Sequence, residues 1–399
     1  MKKSFFQRLR AVKAADLFHI AVFFFAVIPA MLYKRTHRPF WLVCEYENEA
    51  RDNGYYFYRY MTQVHPEQRV VYAIRTDSPD YDKVKALGET VSYGSLRHWI
   101  LYLAAEVNIS SQKGGKPNAA VCYLLEVYGI LKNRRVFLQH GIIKDNLPYV
   151  HYENAKFSLF TVSVEREYQY VSTVFGYPPG IVQKLGLCRF DDLQDCSQGG
   201  MILVMPTWRE WISSGNRRIE DVDAFRHTEY YRRWTAFLCS EQLGRLLQQY
   251  DMTLVFYPHR NMQRFMKDFR QIKSERVKIA AWPEYDVHQL LKEAALLITD
   301  YSSVAMDFAY MDKPVLYYQF DYETFRAHQM EEGYFSYERD GFGPILRDEA
   351  ALLAATEQTV MRAFAVETEY QRRINAFFDM RDTHNCQRTY EAIRKMAGK

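Results

Sequence analysis

Histidine, arginine and hydroxyl side chains follow four separate apolar runs of this 399-residue chain. The polar residues just past these runs are His140, Thr207, Arg209, His259, Arg260, Asp300, Ser302 and Ser303. Most of these side chains donate hydrogen bonds to oxyanions, and an imidazole also exchanges a proton near neutral pH. If the runs are neighbouring strands, the pattern predicts a site that binds a negatively charged group such as phosphate.

Each of these residues also has an ordinary structural explanation. His140 would serve as a loop histidine whose ring nitrogens are satisfied by neighbours. Arg209 would pair with a nearby glutamate such as Glu210, and His259 and Arg260 would be polar surface residues after a strand. The functional interpretation therefore depends on the groups lying together, and not on any one of them.

The stretch "LLITDYSSVAMDFAYMDKPVLYY", residues 296–318, is typical of a strand, a turn, a helix and a second strand. A helix that begins at Ser302 or Ser303 presents N–H groups and the positive end of its dipole where the first strand ends. That arrangement suits a phosphate. The two serines would equally serve as helix caps, so this stretch alone leaves both interpretations open.

Short apolar runs alternate with helix-like segments along the chain, which is typical of a parallel sheet with helices on both faces. In the first half, the predicted strands are "FWLVCEY", "RVVYAI", "EVNISS", "RRVFLQHG" and "KFSLFTVS". In the second half, "MILVMP", "MTLVFYPH" and "RVKIAA" precede the unit described above. We predict an α/β protein with two Rossmann-like domains whose parallel sheets face a central cleft, where ligands bind at the carboxyl ends of strands.

The polar segment "DDLQDCSQGG", residues 191–200, is typical of a domain linker. It separates a predicted N-terminal domain over residues 39–190 from a C-terminal domain over residues 201–399. Whether the last helix stays with the second domain or crosses back to the first is left open.

Residues 1–38 form a basic and apolar segment that we expect to associate with a membrane. The segment holds eight Lys and Arg residues and one acidic residue, Asp16. Its apolar run, residues 17–32, would form a helix of roughly 24 Å, shorter than the ~30 Å hydrocarbon core of a bilayer. We therefore favour a helix lying in an anionic membrane surface, with a tilted span, a signal sequence and a buried helix as alternatives.

Composition excludes several classes of protein. With 48% hydrophobic and 25% charged residues, the chain is typical of a globular protein. A net charge of +4 is too small to indicate nucleic-acid binding. The six cysteines form no CxxC pair and have no histidine partner at metal spacing, so we expect a reducing compartment and no zinc site.

Several motifs together resemble, in order, those of the CDP-glycerol glycerophosphotransferase family, which includes teichoic acid primases and polymerases. They are "FLQHGIIKDNLP", "GLCRFDDL", "PTWRE", "YPHRN" and "DVHQLLKEAALLITDYSSVAMDFAYMDKPVLYYQFD", followed by "GPIL". The long block is highly specific, and the others are individually modest. The resemblance implies a GT-B fold at the cytoplasmic face of the bacterial membrane. It also implies transfer of glycerol phosphate from CDP-glycerol to a hydroxyl of a lipid-linked or polymeric acceptor, with release of CMP.

The resemblance implies roles for individual residues. His140 matches the histidine of the family's "HG" motif, which is proposed as the general base, and His259 matches the "PH" histidine near the donor pyrophosphate. Ser302 and Ser303 match the phosphate-binding serines. The other residues that we place on the donor side are Thr207, Arg209, Arg260, Asp300 and Asp307, and those on the acceptor side are Gly141 and Lys144.

Two departures from the family pattern concern the acceptor side. Ile142 and Ile143 follow Gly141 where the family has Thr and Pro, and Cys188 with Arg189 stands where it has Pro and Arg. The departures leave the donor interpretation intact and put the acceptor and the exact polyol in question. A GT-B transferase that uses CDP-ribitol or a nucleotide sugar, and a membrane-bound scaffold without catalysis, are the alternatives.

The expected reaction needs a base, an in-line attack and neutralised oxyanions. We find no DxD-like pair at a predicted strand end that would bind Mg²⁺ as a bridge to the donor. Helix dipoles and cationic side chains are therefore expected to hold the donor phosphates without a cofactor, and stimulation by Mg²⁺ is left open. The oligomeric state is also left open.

Overall fold

The computed structural model describes residues 14–213 and 222–398, which form two compact units. Within the described residues, the first unit comprises the chain up to Ile142, Pro148–Asp192 and the chain from Asp382 onward. The second comprises Ile143–Leu147 and Leu193–Arg381. Several basic residues expected to meet a membrane lie outside the described residues, namely Lys2, Lys3, Arg8, Arg10 and Lys13.

The first unit is built on a seven-stranded parallel sheet with the strand order β3-β2-β1-β4-β5-β6-β7. Its strands are β1 Trp41–Cys44, β2 Val70–Ile74, β3 Thr90–Ser92, β4 Val107–Ser110, β5 Arg134–Phe137, β6 Leu159–Val162 and β7 Val182–Lys184. The strand order reverses between β1 and β4, which pair with Val43 opposite Ile109. Ligands of open α/β sheets bind at such a reversal, so the loops after β1 and β4 are candidate binding loops.

Both faces of this sheet are covered. Trp41 and Val43 of β1 belong to one hydrophobic core, and Leu42 and Cys44 to another, as the two-residue period of a strand requires. The helices of this unit are α1 Ala14–Thr36, α2 Asn53–Val64, α3 Tyr81–Lys85, α4 Leu96–Ala104, α5 Ala119–Val127, α6 Tyr152–Ala155, α7 Glu165–Val174 and the last helix of the chain, α19 Asn385–Ala397.

Helix α19 packs in the first unit although it comes last in the chain. The ring centroids of Tyr390 and Trp41 are 5.9 Å apart, and Cys386 and Ile393 are buried in the same core. Of the two alternatives that the sequence left open, the last helix therefore crosses back to the first unit, because these apolar side chains complete the core over β1.

The second unit has a six-stranded parallel sheet with the order β10-β9-β8-β11-β12-β13. Its strands are β8 Met201–Met205, β9 Thr253–Phe256, β10 Val277–Ile279, β11 Leu296–Thr299, β12 Val315–Tyr318 and β13 Ile345–Leu346. The order reverses between β8 and β11, which pair with Val204 opposite Ile298. By the same rule, the loops after β8 and β11 are candidate binding loops.

Helices surround this second sheet over a core centred on Trp234. The ring of Trp234 lies 5.2 Å from that of Tyr318 and 6.1 Å from that of Phe256, measured between centroids. The helices are α8 Glu210–Ser213, α9 Val222–Arg226, α10 Glu229–Leu238, α11 Glu241–Gln249, α12 Met266–Phe269, α13 Val287–Glu293, α14 Val304–Tyr310, α15 Tyr322–His328, α16 Tyr337–Asp340, α17 Glu349–Met361 and α18 Thr368–Phe377.

The predicted α/β fold with two parallel sheets and an N-terminal apolar helix is confirmed. Every strand that the apolar runs predicted is present. Strands β3, β7 and β13, of two or three residues each, were not predicted.

Helix α1 is long and apolar enough to cross a membrane, judged by length and composition alone. It extends over 23 residues, or roughly 34 Å, and is therefore longer than the predicted apolar run, so its length is compatible with both a span and a helix lying in the membrane surface. One side of it packs on α4, where Phe23, Ala26 and Ala30 share a core with Trp99. Seven large apolar side chains of α1 are 54–74% exposed, namely Leu17, Phe18, Phe24, Phe25, Ile28, Met31 and Leu32.

Candidate active site

In the first unit, Asp52 and His140 meet next to the reversal of strand order. The Nδ1 atom of His140 lies 2.5 Å from Oδ2 of Asp52. Asp52 follows β1 and caps α2, where its Oδ1 accepts a hydrogen bond from the N–H of Asn53 at 2.7 Å. His140 follows β5, and its side chain is 67% exposed, so the ring is accessible to a ligand.

Arg189 and Gln112 hold this pair in place. The guanidinium of Arg189 donates from Nη1 to Oδ1 of Asp52 at 3.1 Å and to the backbone oxygen of His140 at 2.8 Å. Gln112, which follows β4, donates to Oδ2 of Asp52 at 3.0 Å. Burial opposes ionisation of Asp52, but His140 and then Arg189 lower its pKa below the ordinary value. An ionised carboxylate at Nδ1 leaves Nε2 of His140 as the ring nitrogen suited to accept a proton.

A second buried carboxyl group, Glu45, lies directly after β1. Its carboxylate accepts hydrogen bonds from the hydroxyls of Tyr72 and Ser111, both at 2.8 Å, and from the N–H of Tyr55 at 3.1 Å. Burial and then the neighbouring Asp52 raise the pKa of Glu45 to about 7. A Cβ atom on Gly54 would lie 2.7 Å from Oε1 of Glu45, so a larger residue at that first turn of α2 would displace the Glu45 carboxyl group.

The two residues predicted on the acceptor side lie in different units. Gly141 is half-buried and directly follows His140. Lys144 lies in the segment Ile143–Leu147 of the second unit, where it forms an ion pair with Asp145. Arg326 donates to the other oxygen of Asp145 at 2.6 Å. Direct contact between Lys144 and an acceptor does not fit an ammonium group that is buried and paired.

Arg209 is the centre of a buried ion-pair cluster in the second unit. It donates from Nε and Nη2 to the two oxygens of Asp321 at 2.7 and 2.9 Å, and Nη2 lies 2.9 Å from Oδ2 of Asp300. Tyr301 lies against its guanidinium, 5.0 Å from ring centroid to Cζ. A fully buried guanidinium held by two carboxylates does not reach a donor phosphate, so the predicted direct role of Arg209 does not fit. Instead it holds the loops after β8 and β11 together.

Thr207 and Asp300 join the same two loops. Oδ1 of Asp300 accepts hydrogen bonds from the backbone N–H groups of Thr207 at 2.8 Å and Tyr301 at 2.6 Å. Asp300 is fully buried, and Thr207 is 9% exposed. The carboxylate of Asp300 therefore positions the backbone, and the donor contact predicted for it does not fit this placement.

His259 and Arg260 stand beside tryptophan rings at the end of β9. Nδ1 of His259 accepts a hydrogen bond from the N–H of Asn261 at 3.2 Å, and its ring stacks on Trp208 with centroids 6.1 Å apart. Because Nδ1 accepts, the neutral ring carries its proton on Nε2, which makes Nε2 a donor toward an oxyanion. Arg260 is exposed, with its guanidinium 5.1 Å from the ring centroid of Trp282.

Ser302 and Ser303 are half-buried and directly precede α14. The hydroxyl of Ser303 makes no capping hydrogen bond, and Oγ of Ser302 accepts from the N–H of Val304 at a long 3.4 Å. The capping explanation is therefore weak, and both hydroxyls lie at the reversal of strand order. Asp307 is 3% exposed inside α14, so a direct donor contact does not fit it.

Metal-ligating residues do not cluster in the described part of the chain. Among residues 14–213 and 222–398, no group of three His, Cys, Asp or Glu side chains is placed to hold a metal ion.

The sequence interpretation missed Asp52 and Glu45. An aspartate at the start of a predicted helix is most simply interpreted as an N-cap, and Asp52 is indeed the N-cap of α2. Their positions in the sequence could have identified Asp52 and Glu45 as candidates, because both follow β1 at the same edge of the sheet as His140. Arg189, noted only as part of a departure from the family pattern, belongs to the same cluster.

Comparison with known proteins identifies the relatives of this chain. Residues 186–395, more than half of it, match the model of the CDP-glycerol:poly(glycerophosphate) glycerophosphotransferase family. The chain is 28% identical over 374 residues to the minor teichoic acid biosynthesis protein GgaB of Bacillus subtilis (strain 168), a match covering 90% of this chain and 40% of GgaB. The teichoic acid glycerol-phosphate transferase of Staphylococcus aureus (strain NCTC 8325 / PS 47) is 27% identical over 113 residues, 28% of each chain. The matches thus span less than half the length of these relatives.

Solved structures with the same fold include the wall teichoic acid polymerase TagF. Its TM-score is 0.65 at 16% identity, and the match covers 97% of this chain and 99% of that chain. Anabaena Alr3699/HepE in complex with UDP and glucose has a TM-score of 0.52 at 10% identity, covering 90% and 100%. At these identities the likeness concerns the fold alone, and it confirms the predicted GT-B type.

Proposed function

This chain belongs to the CDP-glycerol:poly(glycerophosphate) glycerophosphotransferase family, and we propose that it transfers glycerol phosphate from CDP-glycerol. The acceptor would be a hydroxyl of a teichoic acid-type molecule, and CMP would be released. The acceptor is lipid-linked or polymeric, in line with the relatives named for teichoic acid synthesis. The observation that carries the proposal is the pair of Asp52 and His140, because this transfer needs a base beside the acceptor hydroxyl.

In the proposed step, the acceptor oxygen attacks the glycerol-side phosphorus of CDP-glycerol, in line with the bridging oxygen of CMP. The bond from phosphorus to the bridging oxygen breaks, and its electron pair leaves with CMP. Nε2 of His140 takes the proton of the acceptor hydroxyl, and Asp52 stabilises the imidazolium that forms. A general base of this kind contributes roughly 10²–10⁴ in rate.

On the donor side, His259 would donate from Nε2 to the oxyanion that develops as CMP leaves, with Arg260 in support. The hydroxyls and backbone amides at Ser302 and Ser303 would bind the donor phosphates. The carboxylate of Asp300 fixes the loop after β8 by accepting the backbone N–H of Thr207, so both residues would support the donor site indirectly. These groups supply the charge neutralisation without a cofactor, although Mg²⁺ bound to the donor itself would be compatible with them.

The membrane is the proposed site of this reaction, at its cytoplasmic face. Helix α1 is held on one side by α4 and exposes large apolar side chains on the other, which favours a helix lying in the membrane surface over one surrounded by lipid. Lys34, Arg35 and Arg38 at its carboxyl end would contact anionic lipid headgroups. A protein held there encounters a lipid-linked acceptor at a raised local concentration.

Mass spectrometry of the products tests the proposal. The full chain is incubated with membrane-extracted acceptor and with CDP-glycerol, CDP-ribitol or a nucleotide sugar, with His140→Ala as the matched variant. We expect one added glycerol phosphate for each CMP released, from CDP-glycerol alone, and little product with the variant. Product from CDP-ribitol or a nucleotide sugar would instead indicate the related transferase, and intact donors throughout would contradict the transferase assignment.

A further inference from the structure

The loop after β4 carries Lys113 and Lys116 in the same segment as Gln112, whose side chain contacts Asp52 and His140. Its sequence is "SQKGGKPN", residues 111–118, at the reversal of strand order in the first unit. The side-chain nitrogen of Gln112 lies 2.8 Å from Nδ1 of His140, and Lys113 is the next residue. Lys113 directly follows Gln112 in the chain, so both residues lie on the same loop.

The buried charges next to this loop do not balance. The ammonium of Lys116 lies 2.6 Å from Oε2 of Glu126, and Nη1 of Arg135 lies 2.9 Å from the same oxygen. One carboxylate therefore neutralises two buried cations. Lys113 adds a third positive charge, and burial, followed by repulsion from Lys116, lowers its pKa to about 8. An anion supplied from outside would stabilise this arrangement.

The ammonium group of Lys113 has N–H donors left for a ligand. Its Nζ donates to the backbone oxygen of Tyr149 at 2.6 Å and lies 5.0 Å from the ring centroid of Tyr123. An ammonium group has three N–H donors, so the hydrogen bond found within the described residues leaves two of them. The side chain is half-buried, which strengthens an electrostatic contact relative to one in bulk water.

The loop that carries Lys113 is fixed by a glycine. A Cβ atom on Gly115 would lie 2.1 Å from Oγ of Ser110 and 2.2 Å from the backbone oxygen of Cys44, so the backbone packs directly on the ends of β4 and β1. A lysine on a fixed loop loses less conformational freedom when it binds a ligand.

We propose that Lys113 binds a phosphate group of the acceptor and thereby brings the acceptor hydroxyl to His140. The inference rests on the proposed function for the identity of that phosphate. Two sources share the chemistry, namely the phosphodiester of a polymeric acceptor and the diphosphate of a lipid-linked acceptor.

Calorimetric binding to the full chain, without donor, tests this site separately from catalysis. The probes are a soluble glycerol phosphate oligomer, inorganic pyrophosphate and an uncharged glycerol oligomer. The variants are Lys113→Gln, Lys113→Arg and the control Lys132→Gln, whose exposed side chain precedes β5 at the opposite edge of the sheet. Unfolding midpoints of all variants establish that each is folded.

We expect Lys113→Gln to weaken binding of a phosphate-bearing probe by roughly 10- to 100-fold, as for a hydrogen bond to a charged group. Lys113→Arg retains most of the affinity, and neither the control nor the uncharged oligomer changes. A loss confined to the glycerol phosphate oligomer identifies the phosphodiester, and one confined to pyrophosphate identifies the diphosphate.

Equal affinity of Lys113→Gln and the wild type for both anions, or an equal loss with the uncharged oligomer, would overturn the proposal. Absence of anion binding by the wild type would overturn it as well. The proposed function fails on a different measurement, the release of CMP by the wild type. If no CMP is released while Lys113 still governs anion binding, the transfer reaction is wrong and the phosphate site stands.

Discussion

The Nδ1 atom of His140 and the Oδ2 atom of Asp52 are 2.5 Å apart, although 88 residues separate them along the chain. The two residues follow different strands of one parallel sheet, whose carboxyl ends share an edge. This pair defines the orientation of an exposed imidazole and determines which of its nitrogens accepts a proton.

Replacement of Asp52 by Asn keeps the shape of the side chain and removes its charge. The imidazolium of His140 then loses its counter-charge, so we expect kcat for CMP release to fall roughly 10²-fold or more, with a small change in KM. Steady-state kinetics with CDP-glycerol measure both constants. The exposed Asp82 provides the control Asp82→Asn, and equal kcat values for the two variants would contradict the role of Asp52.

The pKa of Glu45, raised by burial to about 7 from an ordinary 4.5, predicts how stability depends on pH. Between these values the folded chain binds a proton that the unfolded chain has released, so the stabilisation is complete below pH 4.5 and is lost as pH rises to 7. Glu45→Gln imitates the protonated carboxyl. We expect the free energy of unfolding of the wild type to fall by about 2–3 kcal/mol relative to this variant between pH 5 and 8.

Urea unfolding at intervals of one pH unit checks this difference. Glu47→Gln, which changes an exposed carboxylate two residues away, serves as the control and should follow the wild type. Parallel curves for the wild type and Glu45→Gln would show that Glu45 ionises normally in the folded protein.

Arg209→Met removes the cation of a fully buried cluster and leaves Asp300 and Asp321 without their partner. We expect a loss of about 3–5 kcal/mol in the free energy of unfolding. Arg245→Gln, which breaks an exposed ion pair with Glu241, should change it by less than about 0.5 kcal/mol. A stable Arg209→Met protein with only a raised KM for CDP-glycerol would instead support direct contact with the donor.

Replacement of His259 by Ala removes a donor from the site proposed for the departing CMP. The expected result is a decrease of roughly 10²–10³ in kcat/KM for CDP-glycerol, while the KM for the acceptor is unchanged. His227 is exposed in the same unit, and His227→Ala should retain wild-type kinetics. If His259→Ala alters the acceptor KM alone, the assignment of His259 to the donor fails.

Phe25 is the most exposed of the large apolar side chains on α1, at 74%. We expect Phe25→Glu to weaken binding to anionic vesicles by roughly 10-fold or more, because the phenyl ring no longer enters the membrane and a negative charge is added. Flotation or sedimentation with vesicles measures the bound fraction. Met361→Glu, at a site that is 67% exposed in the second unit, provides the matched control. Equal binding by both variants would argue against α1 as the membrane contact.

Local patterns in the sequence determined most of the fold. Apolar runs of four or five residues, separated by helical periods, specify buried parallel strands, and the polar segment at residues 191–200 marks the change of unit. The positions of His140, His259, Ser302 and Ser303 after strands were visible in the same way. A strand end is a local feature, so these candidates did not require knowledge of any distant contact.

Tertiary structure alone decided which of these residues are buried and which remain accessible. Arg209 and His259 both follow strands, but Arg209 is fully buried and paired with Asp321, 112 residues away, whereas His259 remains half-exposed. From the sequence, Asp52 is only a helix cap. In the folded protein, the ends of β1 and β5 bring it next to His140. Sequence spacing carries no information on such partners, because strand order in a sheet differs from order along the chain, and burial depends on which side chains that order brings together.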